Sequence, residues 1–474
     1  MMRMTGKSSV MEAALLILVC SVCIVPVLAD GSNGYWDPWV TGTTTTSATI
    51  TWWQESPGSG WTVQYATAGY YDTYGTFDHT VPDPDPNPDN FHHVDLTGLE
   101  PGTTYRYLVG SPGTNGVFPV RSFQTFPASG PFTFIVISDT HANEQRFRYV
   151  ADAISNEKDV LFILDGGDYA SRDNETEWAD YFTYGSGMLA NYSLMTAIGN
   201  HEYHNDAGDN LPPTEAYEYS NAYGNVLNYS FDCSGVRFIV MDSPDPLNPD
   251  DENPTPAHAE SQAAWLEDRL ASSPSGTFVI HHHPVWTHGH ATADAALQSW
   301  ETLFHEYPVS ADFAGHIHTY QRFSVDGIPY FVVANAGGGF VTLTDDGKPT
   351  PPGYVYGSTK QLGYLRVTVD PANNTATADE YYVASLQDYN ATTATVLNPP
   401  LLADHLVFPL KGTLQTPAGN AGSGTSPAAN PGGGSPLRIT SLGSPAGNVM
   451  TALLNRSLSD LHPRHALRVP VSPR

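Results

Sequence analysis

Cysteine is nearly absent from this chain, with three residues in 474. Cys20 and Cys23 both lie in the first 29 residues, so a chain that loses that segment keeps Cys233 alone and forms no internal disulfide. Stability must then come from packing, and 40% apolar residues with 11% aromatics are enough for sizeable cores. Positive charge is scarce too: Lys and Arg total 20 against 49 Asp and Glu, the net charge is −29, and only five residues are Lys. That excludes a general affinity for nucleic acid or for an anionic membrane surface. The apolar run Ala13 to Leu28 is short for a spanning helix and carries Pro26, so no stable membrane span is expected. With Arg3 and Lys7 ahead of it and Val27-Leu28-Ala29 behind, residues 1–29 read as a signal peptide. The expected location is extracellular, cell-surface or periplasmic. Five Arg sit in residues 412–474, which leaves the body of the chain more acidic still. An anionic substrate would need positive charge concentrated at its site, and bound metal supplies that.

What is present divides the mature chain into a β-rich part, an alternating part and a tail. From Trp36 to about Phe126, β-branched and aromatic residues near-alternate in Thr49 to Trp53 and Thr62 to Tyr65, and the Pro/Asp/Asn run Val81 to Asn90 breaks the strands. Phe132 to Ile137 and Val160 to Leu164 read as buried strands around a helix over Asn143 to Asn156, a βαβ unit. The expected divisions are a β-sandwich over 30–127, an α/β domain over 131–411, and a linker with a disordered tail over 412–474, where Gly, Ala, Ser and Pro dominate the first part.

Chemistry-bearing residues gather where strands run out. Asp139 and His141 follow the first strand of the α/β part, Asp168 follows Leu161 to Leu164 after two glycines, and Gly199-Asn200-His201-Glu202 follows Leu194 to Ile198. His281-His282-His283-Pro284 follows Thr277 to Ile280, and Gly315-His316-Ile317-His318 follows Ala311 to Ala314. Strand ends are where sites form in α/β sheets. A carboxylate beside two glycines has room to share its oxygens between two cations, and the Gly-His-x-His pair converges on a cation.

The order D-x-H, G-D, G-N-H-E, H-H-P, G-H-x-H resembles the calcineurin-like metallophosphoesterase superfamily. Gly199 to Glu202, Gln262 to Leu270 and Gly315 to Arg322 are most similar to its purple acid phosphatase branch. Leu96 to Val109 (LTGLEPGTTYRYLV) resembles the tyrosine corner of a fibronectin type III domain. The implied fold is multidomain, an N-terminal all-β fibronectin-like sandwich followed by an α/β/β/α metallophosphoesterase domain. The resemblance implies that Asp139, His141, Asp168 and His318 hold one metal ion and Asp168, Asn200, His282 and His316 a second, with Asp168 bridging. His201 matches the outer-sphere His that binds phosphate and protonates the leaving group, and His288 and His290 are weaker substrate-contact candidates. His282 is chosen because the family's ligand stands two residues before the Pro. Strand alternation would then turn His281 and His283 to the other face.

Two positions depart from the purple acid phosphatase pattern. Ser171 stands where that branch has a ferric-binding Tyr, and His141 where it typically has Gly. Two divalent ions (Fe, Mn or Zn) without a purple band, and an activity optimum at neutral pH or above, are therefore expected. The functional expectation is an exported phosphatase that hydrolyses phosphomonoesters, small phosphate esters being its substrate partners, by attack of a metal-activated hydroxide at a dinuclear centre. A phosphodiesterase or nucleotidase on the same metal pair is the alternative, and a non-catalytic surface binding protein is a third reading. The sequence leaves the oligomeric state open.

Overall fold

The computed structural model describes residues 34–410 except 55–59, 85–89, 111–117, 173, 204–226, 245–253, 273–275, 290–294, 308, 344–349 and 389–393. The expectations for the signal segment, for His290 and for the tail lie outside the described residues.

Seven strands build the N-terminal sandwich: β1 (Tyr35–Thr41), β2 (Ser47–Gln54), β3 (Thr62–Thr67), β4 (His79–Pro82), β5 (Phe91–Thr97), β6 (Thr104–Gly110) and β7 (Arg121–Gln124). One face is β1-β2-β5 and the other is β4-β3-β6-β7. Val40, Ile50, Trp52, Val63, Val94, Leu96 and Tyr107 fill the space between them, as alternation on half-buried strands requires. The tyrosine corner is formed: Glu100 N donates to Tyr105 Oη at 2.8 Å. A short helix, α1 (Ala68–Tyr74), interrupts the strands, capped by Thr67 at one end and by left-handed Gly75 at the other.

The α/β part supplies β8 (Phe132–Ile137), β9 (Val160–Asp165), β10 (Ser193–Thr196), β11 (Tyr229–Cys233), β12 (Val236–Val240), β13 (Thr277–Ile280), β14 (Ala311–Ala314), β15 (Tyr320–Val325), β16 (Ile328–Val333), β17 (Tyr354–Ser358), β18 (Gln361–Asp370), β19 (Thr375–Leu386) and β20 (Ala394–Pro409). Its helices are α2 (Glu144–Ser155), α3 (Glu175–Leu189), α4 (Pro256–Ala271) and α5 (Gln298–Glu306). Two sheets face each other across a phenylalanine-rich layer that includes Phe134, Phe162, Phe238, Phe278 and Phe313. Helices α2 and α3 cover the outer face of the first sheet, and α4 and α5 that of the second. This is the expected α/β/β/α arrangement. In the first sheet β8, β9 and β10 run parallel, and in the second β12, β13, β14 and β16 do. Parallel strands bring their carboxyl ends to one rim.

The first sheet does not stop at β10. Its order is β20-β19-β18-β8-β9-β10-β1-β2-β5, so one face of the sandwich continues the α/β sheet through a parallel Thr41–Leu194 pairing. The junction is aromatic. Trp39 stacks on Phe182 of α3 at 4.0 Å, Trp36 stacks on the same ring at 5.7 Å, and Tyr107 Oη donates to Ala190 O at 2.8 Å. The sandwich is therefore bound into the core of its neighbour.

Candidate metal centre

Five strand ends build the site. Asp139 and His141 leave β8, Asp168 follows β9, Asn200 and His201 follow β10, His282 follows β13, and His316 and His318 follow β14. The loops are pinned to one another by backbone bonds: Asp139 N donates to Gly167 O and His141 N to Asp168 O, each at 3.0 Å. Asp139, His141, Asp168 and His316 all adopt positive φ, between 50° and 67°. Non-glycine residues in this region are strained by about 1–3 kcal/mol each, a cost that clusters at functional sites. Glycine is obligatory at two points. Gly167 has φ +98°, and a Cβ at Gly199 would lie 2.1 Å from Asp168 Oδ1. Those two positions let the β10 loop close directly onto the Asp168 carboxylate.

The side chains converge in two groups. One ligand-type atom each from Asp139, His141, Asp168 and His318 lie within 4.8 Å of one another, as do those of Asp168, His282 and His316. Asn200 Oδ1 joins the second group, 3.0 Å from His282 Nε2 and 3.2 Å from His316 Nδ1. Asp168 is common to both. All seven residues expected as ligands are thus brought together.

The donor chemistry fits cations. His318 Nδ1–H donates to Gly339 O and His282 Nδ1–H to Gly166 O at 2.9 Å, so each ring turns Nε2 inward and offers its lone pair there once that atom gives up its proton. His318 Nε2 then faces His141 Nε2 at 3.0 Å, and His282 Nε2 faces Asp168 Oδ2 at 3.2 Å. A positive charge between the members of each pair, a proton or a metal ion, satisfies both. Burial brings His141 and His316 down to about 3, so both stay neutral. Burial also opposes charge on His282, but Asp168 and then Asp139 outweigh it and raise that ring to about 9. Burial works against the Asp168 carboxylate, but the charges of His282 and His201 and the hydrogen bond from His282 outweigh it and hold the group well below the usual carboxylate range.

His201 sits at the mouth, its side chain 34% exposed. Its Nδ1–H donates to Ser171 O at 2.7 Å, which leaves Nε2 3.9 Å from Asp168 Oδ2. Its backbone N donates to Asp168 Oδ1 at 3.0 Å. His288 is tied elsewhere: its N donates to Gln321 Oε1 at 2.8 Å and its ring packs on Tyr354 at 4.8 Å. His281 turns away toward Asp312, 2.9 Å from its Oδ1. His283 corrects the alternation argument, because β13 ends at Ile280 and the His283 ring lies 4.4 Å from that of His316.

The role of Glu202, and Ser243 altogether, escaped sequence reasoning. Glu202, fully buried, accepts from Asp168 N, Tyr169 N and Gly199 N at 2.8–2.9 Å and so clamps two site loops. The G-N-H-E motif held that signal unread. Ser243 Oγ accepts from His282 N and His283 N and pairs with His283 Nδ1 at 3.0 Å; nothing in the sequence marked it. Tyr169 turns its phenol into the core, where Oη donates to Ala197 O and the ring packs on Trp178 and Tyr181.

Two stretches of the chain match known families. Residues 132–320 match the calcineurin-like phosphoesterase family, and residues 38–125 match the purple acid phosphatase N-terminal domain. The chain thus carries a calcineurin-like phosphoesterase domain behind a purple acid phosphatase N-terminal domain, and its homologues are purple acid phosphatases. Purple acid phosphatase 15 of Arabidopsis thaliana is 24% identical over 49% of this chain and 49% of its own length. Probable purple acid phosphatase 20 of the same plant is 28% identical over 48% and 54%, and the phosphoenolpyruvate phosphatase of Allium cepa is 23% identical over 51% and 53%. The chain spans about half the length of these curated relatives. Among solved structures, the purple acid phosphatase PPD1 from yellow lupin seeds shares the fold, with a TM-score of 0.63 and 14% identity over 82% of this chain and 78% of that one. PhoD does so with a TM-score of 0.59 and 14% identity over 79% and 90%.

Proposed function

We propose that this protein is an exported, metal-dependent phosphatase that hydrolyses phosphomonoesters of small molecules at a dinuclear centre. The observation that carries the reading is Asp168, one carboxylate shared by two inward-facing donor groups with the exposed imidazole of His201 beside it. Asp139, His141, Asp168 and His318 would hold one ion, and Asp168, Asn200, His282 and His316 the other. The donors are nitrogen and oxygen only, a set that suits Fe, Mn or Zn. When bound, such ions act as Lewis acids toward a phosphate oxygen and lower the pKa of water. The chain's own residues do the rest. The left-handed turns fix the carboxylates, and the carbonyls of Gly166 and Gly339 fix two imidazole tautomers. With its Nδ1 proton held by Ser171 O, His201 in the imidazolium form carries its second proton on Nε2, the atom open to a substrate. From there it binds a phosphoryl oxygen and gives that proton to a departing alkoxide.

Divalent ions at both positions belong to this proposal, supported by a phenol at Tyr169 that faces the core and a Ser at 171. So do the export signal over 1–29 and the division into 30–127, 131–411 and 412–474. The test is hydrolysis of a panel of alkyl and aryl monoesters, diesters and nucleotides by protein reconstituted with defined Mn, Zn or Fe. Monoester turnover well above diester turnover supports the reading. A dominant diesterase activity, or none with any metal, contradicts it.

A further inference from the structure

We propose that Arg146, through the Asn335–Gly339 strap it grips, is a positioning residue for the donor group of Asp139, His141, Asp168 and His318. The inference rests on the metal-centre reading above. Arg146 lies in the first turn of α2, whose cap Asn143 comes two residues after His141. The residue is only 6% exposed. Nη1 donates to Gly338 O at 2.9 Å, and the guanidinium carbon lies 5.8 Å from the Phe340 ring centroid.

The strap runs alongside the β8 loop. Ala336 N donates to Ser138 O at 3.3 Å and Gly338 N to Asp139 O at 2.7 Å. Its far end is fixed independently, since Asn335 Nδ2 donates to Glu380 Oε1 at 2.9 Å and Asn335 O accepts from Gly363 N at 3.1 Å. Between the two anchors there is no slack: a Cβ at Gly338 would lie 2.8 Å from His141 Cδ2 and 2.9 Å from His318 Cε1. The next carbonyl along, Gly339 O, accepts the Nδ1 proton of His318. That bond sets the tautomer whose Nε2 lone pair faces His141 Nε2 at 3.0 Å and Asp139 Oδ1 at 3.3 Å. Arg146 thus holds the carbonyl adjacent to the one that decides how His318 binds.

The second group has its own support. His282 takes its tautomer from Gly166 O, on the opposite side of the site. The effect of Arg146 should therefore be selective. Partners that orient a metal-binding His are typically worth 10- to 100-fold in metal affinity, and a guanidinium fork is not replaced fully by an ammonium.

The experiment is titration of the metal-free full chain with Co(II), followed by calorimetry and visible absorption, for wild type, Arg146→Met, Arg146→Lys, Gly338→Ala and His318→Ala. Wild type should bind two ions, and His318→Ala identifies the step that belongs to its group. Arg146→Met should weaken that step by about 10- to 100-fold, alter its absorption bands and leave the other step unchanged. Arg146→Lys should recover part of the loss, and Gly338→Ala should reproduce the selective weakening even if the Met variant fails to fold. Wild-type binding of both ions by Arg146→Met or by Gly338→Ala, or equal weakening of both steps, overturns the assignment. Failure of wild type to bind two ions overturns the metal-centre reading beneath it.

Discussion

Trp39→Ala probes the seam between the two folded parts. Trp39 is fully buried and stacks at 4.0 Å on Phe182 of α3, beside the single pairing that joins β1 to β10. Truncation of a buried Trp costs about 3–5 kcal/mol, a large share of the roughly 5–15 kcal/mol that stabilises an ordinary domain. The side chain contributes through apolar contact, because its Nε1–H meets no acceptor among the described residues. Trp39→Phe, which deletes that unpaired donor and keeps an aromatic face, should cost clearly less than Trp39→Ala. Urea unfolding followed by tryptophan fluorescence and far-ultraviolet circular dichroism separates the cases. One continuous sheet predicts a single wild-type transition seen by both probes, shifted strongly by Ala and weakly by Phe. A sandwich that melts alone, or an Ala variant within about 1 kcal/mol of wild type, would refute the seam argument.

His201→Ala should keep its metal while turnover of alkyl phosphates falls about 100-fold, the scale of a lost general acid; loss of metal in parallel with activity would make His201 a ligand instead. Iron-loaded protein should lack an intense purple band, and Tyr169→Phe should leave its visible spectrum unchanged, because the phenol donates to Ala197 O inside the core. A band abolished by that substitution would contradict the geometry. Glu380, fully buried beside Asn335, has its pKa pushed well above 4.5 by burial and, secondarily, by Asp404. Above pH 4.5 the unfolded chain has released this proton and the folded chain has not, so wild-type stability falls as pH rises through that window. Relative to wild type, Glu380→Gln should then gain up to about 1.4 kcal/mol per pH unit until the folded-state pKa is reached, and a difference that does not change between pH 4.5 and 7.5 would show that Glu380 is already ionised.

Much of this was legible because the chemistry sits next to strong patterns. Phe132–Ile137 and Val160–Asp165 are unbroken apolar strands, and each expected ligand follows such a strand by a few residues. The tyrosine corner was readable for the same reason, since Leu96, Leu99 and Tyr105 are core residues at fixed spacing. What stayed hidden depends on tertiary contact. α1 and α3 are rich in Tyr, Thr and Gly, poor helix formers on their own, and are held by caps and by packing. β20 spans Ala394–Pro409 and contains Pro399 and Pro400, which an edge strand tolerates and a sequence pattern does not advertise. Glu202 was read as part of a motif, yet its role as acceptor for three backbone N–H groups appears only when the β9 and β10 loops meet. The β1–β10 pairing links residues too distant in the chain for any local pattern to announce.

Metal stoichiometry of Asp168→Asn tests the central claim most directly. The substitution preserves shape and removes the one charge that both donor groups share. After equilibrium dialysis against Mn, elemental analysis of wild type should give two ions per chain, with His141→Ala and His282→Ala each retaining one and Asp168→Asn retaining neither. An Asp168→Asn protein that still holds two ions and turns over monoesters at near the wild-type rate would contradict the account.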